Sequence, residues 1–281
     1  MGHLQCIDRE PNAVHSIATT MIHYLFDLCS AEISNCEAMR KAIKRFVPLD
    51  FRRLVRAWWC RFPVARWGGF RRLTPVSRVF GFDRGKPIDR YYIETFLQRN
   101  SVDIKGHVLE IGEDVYTRLF GGKKVTKSDV LHVTLDSPRA SLVGNLATGE
   151  GIPSDRFDCM VLTQTFPFIY DVQAAIATVY SALKPDGVLL ATFPGISQIS
   201  RYDMDRWGDY WRFTDASARR LFGDVFGVRN VTVETFGNVL AACAFLHGLA
   251  VRELKHSELD HCDSDYQIII GVRAVKLAEE P

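Results

Sequence analysis

The residues with the clearest chemical potential are an acid and a glycine at the end of one apolar segment. In VLEIGEDVYTRLFGG, residues 108–122, Glu110 lies among aliphatic residues and Gly112 closes the segment. A buried carboxylate is costly unless it is paired, and glycine lets a backbone approach a ligand closely. We therefore expect Glu110 and Gly112 to face a ligand, with a plain turn as the alternative for Gly112.

Five more candidate ligand-binding residues follow later apolar segments. The segments LHVTLDSP, VGNL and TQTFPF supply Asp136, Asn145, Leu146, Gln164 and Thr165. In an open parallel sheet, ligands bind in the crevice at the carboxyl ends of the strands. Residues that close successive strands are therefore expected to meet at one edge of a sheet. His132, which lies inside its segment, is expected to pack in the core, and a simple turn is the alternative for Asn145.

A polar and aromatic stretch, residues 194–214, is a further feature with chemical potential. It joins a predicted strand to a predicted helix, and connections of this length in a compact domain are usually functional lids. If the site carries out proton transfer, the general base could be an aspartate of this stretch, Asp203, Asp205 or Asp209, or the later residue His247. The residue types do not select among these four. Trp207, Trp211 and Phe213 are expected to pack within this lid, with a platform for a sugar or isoprenoid ring as the alternative.

Alternating strands and helices must position these residues. The strands are predicted from short apolar runs, and the helices from apolar positions that recur on one face. Predicted strands cover residues 107–112, 129–135, 157–165, 188–195, 228–237 and 266–277, and predicted helices cover 13–46, 87–100, 171–184 and 214–226. This alternation predicts an α/β fold with a doubly wound, Rossmann-like, mostly parallel sheet. The two late strands predict an antiparallel edge pair, and an N-terminal helical extension precedes the sheet.

Composition excludes several classes of protein. With 281 residues, 47% of them apolar, the chain can bury a substantial core. No run of about 18 apolar residues and no secretory pattern occurs, so we expect neither a transmembrane helix nor a signal peptide. Seven scattered cysteines without a CxxC pair are typical of reduced cytoplasmic thiols and do not match zinc spacing. No metalloprotease, serine hydrolase or P-loop motif occurs either, and we predict no metal site.

The N-terminal part has a different character, and we place a domain boundary between residues 1–86 and 87–281. Between Arg40 and Arg78 the chain has twelve lysines or arginines against one acid, interleaved with aromatic residues. One interpretation is a solvated basic face whose aromatic residues pack on the core domain. The others are peripheral contact with an anionic membrane or a phosphorylated substrate, and nucleic-acid binding, which is the least favoured of the three.

Four segments in this order resemble class I S-adenosylmethionine-dependent methyltransferases of the small-molecule and glycan type. They are VLEIG, GNLATGEGIPSDRFDCMVLTQTFPFIYD, LKPDGVLLATFPG and YWRFTDASARRLF. The resemblance extends over about residues 105–275. It implies a Rossmann-like fold that binds S-adenosyl-L-methionine and transfers its methyl group to a small molecule or glycan.

The resemblance also implies roles for the candidate residues. Glu110 would bind the amino group of the cofactor, and Asp136, or Thr134 in its place, would hold the ribose hydroxyls through its acceptor oxygens. Asn145 or the backbone amide of Leu146 would contact adenine. Gln164 and Thr165 would lie over the position of the methyl donor.

One motif departs from the pattern of the family. Where the family has ExGxGxG, this chain has EIGEDVY, so that Asp114 and Tyr116 replace the later glycines. The resemblance implies in-line methyl transfer, which we expect to occur at oxygen. The altered loop favours an alternative, a methyltransferase-like protein that binds the cofactor without methyl transfer, as a pathway scaffold or a repurposed enzyme. An NAD-dependent enzyme is less favoured because the glycine spacing for a pyrophosphate is missing.

Overall fold

The computed structural model describes residues 72–134 and 138–278, all of which belong to one compact unit, Ala65–Pro281. The predicted helix over residues 13–46, most of the basic segment and Asp136 lie outside the described residues. The proposed boundary at residue 86 stays a prediction. No helix in the described part of the chain is long and apolar enough to cross a membrane.

A seven-stranded mixed sheet forms the centre of the fold. Its strands are β1 (Gly106–Ile111), β2 (Val125–His132), β3 (Leu142–Val143), β4 (Phe157–Thr163), β5 (Leu183–Pro194), β6 (Val231–Phe236) and β7 (Ile269–Val275). Their order is β3-β2-β1-β4-β5-β7-β6. Strands β1 to β5 pair in parallel, whereas β7 is antiparallel to both β5 and β6. The predicted doubly wound sheet with an antiparallel edge pair is therefore confirmed.

Helices accompany this sheet, and most of them pack on one of its two faces. They are α1 (Ile88–Arg99), α2 (Val172–Ala182), α3 (Arg201–Met204), α4 (Asp215–Phe226), α5 (Val239–Leu246) and α6 (His256–Asp260). Three of them, α1, α2 and α4, were predicted from apolar periodicity and are confirmed. The Thr214 side chain accepts a hydrogen bond from the Ser217 amide at 3.2 Å, which caps the start of α4.

The two faces of the sheet carry separate apolar clusters, because successive residues of a strand point in opposite directions. Val108 packs in the cluster that includes α1 and α5, whereas Leu109 packs in the cluster that includes α2 and α4. The first cluster needs a glycine in β7: a Cβ on Gly271 would lie 2.5 Å from the ring of Phe96. The Phe96 ring of α1 thus lies directly against the sheet.

The connection from β1 to β2 differs from the strand-helix alternation that the sequence predicts. It holds one π-helical turn, Thr117–Gly121, followed by one 3-10 turn, Gly122–Lys124, in place of a full α-helix. A chain segment of only 13 residues, 112–124, separates the two strands, which is near the shortest length for a parallel crossover. The loop after β1 is therefore followed by short, irregular turns and not by a regular helix.

Candidate functional site

Glu110 organises the loop that follows β1. Its side chain is buried, with 4% of the residue exposed, and its carboxylate accepts hydrogen bonds from the backbone amides of Thr117 at 2.7 Å and Tyr116 at 3.2 Å. Burial raises the pKa of Glu110, and these amide donors offset part of that rise. Because the amides at the start of a helical turn have no partner within the turn, Glu110 acts as its cap.

Gly112 lies at the carboxyl end of β1 beside open space. Its φ of +76° is a conformation that favours glycine, and no heavy atom lies within 4 Å of the position that a Cβ would take. Its amide donates to the carbonyl oxygen of Leu131 in β2 at 3.1 Å. From β1 the chain continues to β2 and β3 on one side and then returns to β4 on the other. Gly112 therefore lies at the topological switch point, where open α/β sheets bind ligands.

The end of β4 has an unusual backbone conformation. Gln164 follows the strand with a φ of +52°, and its amide donates to the carbonyl oxygen of Thr192 in β5 at 2.9 Å. A residue other than glycine rarely adopts a positive φ, and such conformations cluster at functional sites. Thr165 comes next and precedes the 3-10 turn Phe166–Phe168. The register of β1 with β4, in which Glu110 is opposite Val161, brings both strand ends to the same edge.

The ends of β2 and β3 place three further residues of interest. His132 is the last residue of β2, and its Nδ1 is buried without a hydrogen-bond partner among the residues that the structure describes. Asn145 follows β3, and its side-chain oxygen accepts the Ala147 amide at 2.9 Å, so that it stabilises a turn. Leu146 is buried in the core. Contacts of Asn145 and Leu146 with adenine, and of Gln164 and Thr165 with the methyl donor, stay predictions.

A cavity of about 490 Å³ opens at the carboxyl ends of β4 and β5. Thr163, Gln164 and Pro194 form its strand side. Its other walls come from residues 78–82, from the start of α1 and from the stretch 197–212. Aromatic side chains, those of Phe80, Phe82, Phe168, Tyr202 and Phe245, line it together with several charged groups. A volume of this size suits a small organic molecule.

The predicted catalytic bases occupy different environments. Asp203 and Asp209 line the cavity, whereas Asp205 and His247 are not among the described residues that line it. Burial alone would raise the pKa of Asp209, but hydrogen bonds from Arg212 and from the Ser200 amide outweigh it and lower that pKa. Asp209 is therefore held as an ion pair, with distances of 2.5 and 2.9 Å to the two guanidinium nitrogens.

The other three candidates have fewer donors. Asp203 accepts the Ser200 hydroxyl at 2.5 Å. Asp205 is exposed and lies 3.4 Å from Arg201. The backbone oxygen of His247 accepts the amides of Val76 and Ser77, which ties α5 to the segment before α1. Of the four, Asp203 combines a place in the cavity with spare acceptor capacity.

The aromatic residues of the stretch 194–214 divide into two groups. Phe213 is buried and its ring lies 4.8 Å from that of Phe193, which is the packing role that we predicted. Trp207 and Trp211 are 42% and 39% exposed. The indole nitrogen of Trp211 donates to the carbonyl oxygen of Ile169 at 3.2 Å, so this ring is fixed although it faces solvent.

Sequence reasoning missed the contribution of the segment before and at the start of α1. Asp89 and Arg90 line the cavity, and so do residues 78–80 and Phe82. The sequence explains Asp89 as an acid in the first turn of a helix, which is a favourable position on its own. The signal that could have revealed a second role is the pair of aromatic residues immediately upstream, of which Phe80 packs partly against the core and Phe82 is exposed.

Metal chemistry has no geometric basis in the described part of the chain. No group of three or more His, Cys, Asp or Glu side chains that could hold a metal ion occurs there. The described cysteines, Cys159, Cys243 and Cys262, are free. The site is therefore described by its carboxylates, guanidinium groups and backbone amides.

No protein-family model and no curated protein matches this chain. The fold is similar to that of a SAM-dependent methyltransferase from Archaeoglobus fulgidus, with 12% identity, 66% of this chain and 94% of that one covered, and a TM-score of 0.44. The N-methyltransferase NodS from Bradyrhizobium japonicum WM9, in complex with S-adenosyl-L-homocysteine, has 12% identity, coverage of 72% and 94%, and a TM-score of 0.44. An S-adenosylmethionine-dependent methyltransferase from Mesorhizobium loti has 15% identity, coverage of 69% and 100%, and a TM-score of 0.44. We base the fold on strand order and register and take no function from these proteins.

Proposed function

We propose that this protein is an S-adenosylmethionine-dependent methyltransferase that acts on a small molecule or glycan, with transfer to oxygen. The observation that carries the proposal is the open space beside Gly112 at the topological switch point. A glycine with a φ of +76° and no neighbour within 4 Å of a Cβ position is the cradle that a ligand at this edge needs. The order of the four motifs that resemble the methyltransferase family supports the same ligand.

The residues around Gly112 fit this cofactor in type. Glu110 shapes the loop, and its position in β1 supports a contact with the cationic amino group, directly or through the loop that it caps. The cofactor would supply an activated methyl group on a sulfonium. Loss of the later glycines is compatible with a ribose and a sulfonium, because neither needs a cluster of bare amides, whereas a pyrophosphate does. We also propose that the carboxylate of Asp136 binds the ribose hydroxyls of the cofactor.

The acceptor would bind in the cavity next to this edge. Gln164, which follows β4 and lines the cavity, would contact both the acceptor and the methyl donor. The volume of the cavity suits a small acceptor of one or two rings, and strands β4 and β5 would shield the reacting atoms from water on one side. The chain would act mainly by positioning acceptor oxygen, methyl carbon and sulfur in one line.

Isothermal titration and a turnover assay test the proposal together. We expect S-adenosyl-L-methionine and S-adenosyl-L-homocysteine to bind at micromolar or tighter levels, and tritium from methyl-labelled cofactor to appear in a hydroxylated acceptor. Binding without turnover on any hydroxylated acceptor would favour the second candidate, a cofactor-binding protein that does not transfer methyl groups. The irregular turn Thr117–Gly121 after β1 is the observation that supports this second candidate.

A further inference from the structure

We propose that Asp89 is the general base of this site and accepts the proton of the acceptor hydroxyl. This inference rests on the proposed methyl transfer and names a residue for its proton-transfer step. It starts from the three carboxylates that line the cavity, Asp89, Asp203 and Asp209. A base must be reachable by the acceptor and must keep an oxygen free to receive a proton.

Hydrogen bonding sets Asp209 apart from Asp89 and Asp203, and the position of Asp89 beside the loop after β1 sets it apart from Asp203. Asp209 receives both guanidinium nitrogens of Arg212 and one backbone amide, so its charge is already compensated. Asp203 receives the Ser200 hydroxyl. Asp89 receives backbone amides, that of the adjacent Arg90 at 2.7 Å on Oδ1 and its own, and no hydrogen bond to it from a side chain is seen among the described residues. A hydroxyl in the cavity would therefore not have to displace a side-chain donor from Asp89.

The surroundings of Asp89 favour a proton acceptor over a permanent anion. Burial raises its pKa, and the charge of Arg90 and the amide hydrogen bond offset only part of that rise. A carboxylate with a raised pKa takes up a proton more readily than a fully solvated one. Tyr116 and Arg90 are the titratable or charged groups beside it, and Arg78, Arg201, Asp203 and the Asp209–Arg212 pair are the others that line the cavity.

The position of Asp89 also links the acceptor cavity to the loop after β1. Arg90 lies 6.0 Å from the ring centroid of Phe82, which lines the cavity, and it is close enough to Tyr116 for its charge to offset part of the rise that burial causes in the pKa of that phenol. The amide of Tyr116 in turn donates to Glu110. The start of α1 therefore lies between the wall of the cavity and the loop that would hold the cofactor, where a base for methyl transfer has to be.

The proton-transfer step balances without a further reagent. The acceptor oxygen forms a bond to the methyl carbon while the bond between that carbon and sulfur breaks. The electron pair of the broken carbon–sulfur bond stays on sulfur. The hydroxyl proton passes to the free oxygen of Asp89. The products are the methyl ether, the neutral thioether of S-adenosyl-L-homocysteine and a protonated Asp89, which returns its proton to water through the open cavity.

The first experiment compares Asp89→Asn, which keeps the acceptor for the Arg90 amide, with Asp203→Asn and with Asp224→Asn, an exposed aspartate of α4. Methyl transfer is measured with catechol, 4-hydroxybenzoate and N-acetylglucosamine as probes. We expect Asp89→Asn to lower kcat/KM by about 100-fold or more, with S-adenosyl-L-homocysteine affinity and the unfolding midpoint unchanged. It should also abolish the fall of kcat/KM at acidic pH, which a structural role would leave in place.

A rate in Asp89→Asn equal to that of Asp224→Asn, or a loss no larger than that of Asp203→Asn, would overturn the inference while leaving cofactor binding intact. Failure of the proposed function would look different, because the unchanged protein would then not bind S-adenosyl-L-homocysteine, or would bind it without methyl transfer to any acceptor. If none of the three probes accepts a methyl group, a labelling experiment decides. A diazoacetamide esterifies protonated carboxylic acids, and at pH 6 we expect peptide mapping to find Asp89 labelled in preference to Asp203 and Asp209. Equal or absent labelling of Asp89 would contradict the assignment.

Discussion

The carboxylate of Glu110 lies 2.7 Å from the backbone amide of Thr117 and holds the turn that follows β1. The residue that the sequence singled out for its cost in a strand is thus a structural anchor of the loop as well as a candidate contact for the cofactor. The carboxylate of Glu110 accepts hydrogen bonds from backbone amides, so the turn is held only while residue 110 carries a hydrogen-bond acceptor. If the cofactor binds at this edge as proposed, loop geometry and ligand binding depend on the same side chain.

Replacement of Glu110 by alanine should destabilise the fold and weaken cofactor binding together. The backbone amides of Tyr116 and Thr117 would lose their acceptor, at a cost of about 1–3 kcal/mol in the free energy of unfolding. Glu113→Ala is the control, because that side chain is exposed and forms a surface ion pair with Arg139, and its effect should stay within about 0.5 kcal/mol. Urea unfolding measures both. Equal effects would show that Glu110 does not hold the loop.

Gly112→Ala separates backbone strain from ligand contact. Gly122 is a matched control, since it also has a positive φ, +54°, and no heavy atom within 4 Å of a Cβ position. Each substitution should cost about 1–2 kcal/mol of stability through strain. Only Gly112→Ala should also abolish binding of S-adenosyl-L-homocysteine in calorimetry, because its methyl group would enter the cofactor space. Similar affinities in the two variants would mean that the cofactor does not bind at the end of β1.

An ion-pair network at the amino end of the sheet should make stability depend on acidic pH. Burial would raise the pKa of Asp129, but hydrogen bonds from His107, 2.7 Å away, and from Ser141 outweigh it and lower that pKa. The pKa in the folded protein is then below that of the unfolded chain, about 3.9. The stabilisation is present above that value and is lost as the pH falls through the folded pKa.

Asp129→Asn should therefore lower stability at pH 7 by about 1–3 kcal/mol and flatten its dependence on pH below pH 4. Urea unfolding between pH 3 and pH 7 provides the measurement, and Asp224→Asn, an exposed aspartate, serves as the control. An unchanged slope in Asp129→Asn would show that other carboxylates cause the acid sensitivity.

The contact between Gly271 and Phe96 should show non-additive mutational effects. Gly271→Ala would place a Cβ 2.5 Å from the Phe96 ring and cost about 1–3 kcal/mol through overpacking. In the double variant with Phe96→Leu, the smaller and more flexible side chain should relieve part of this cost. A double-mutant cycle from thermal or urea unfolding measures the coupling. Strict additivity would mean that the two residues do not constrain each other.

The sequence predicted the sheet well because its signals are local and strong. The apolar runs at β1, β4 and β5 and the capped pattern of α4 act within one element, and tertiary packing did not override them. The turn Thr117–Gly121 was not predictable, because its geometry depends on a buried carboxylate six or seven residues earlier in the chain. Helix α5, which is apolar almost throughout, has no amphipathic pattern that could have identified it.

The candidate site was predicted only in part, for a similar reason. Residues at strand ends, such as Gly112 and Gln164, follow from the topology of a parallel sheet. The role of Asp89 depends on how α1 packs across the sheet, and no pattern within its own helix encodes that contact. The choice among the lid acids likewise depends on the ion pair between Asp209 and Arg212.

The claim that this protein binds S-adenosylmethionine at the end of β1 is tested by calorimetric titration of the folded chain with S-adenosyl-L-homocysteine. We expect one site per chain with a dissociation constant of micromolar or tighter, that is about −8 kcal/mol or more favourable, and loss of this binding in Gly112→Ala but not in Gly122→Ala. A folded protein that releases no heat and shows no shift in its unfolding midpoint at saturating ligand would contradict the claim.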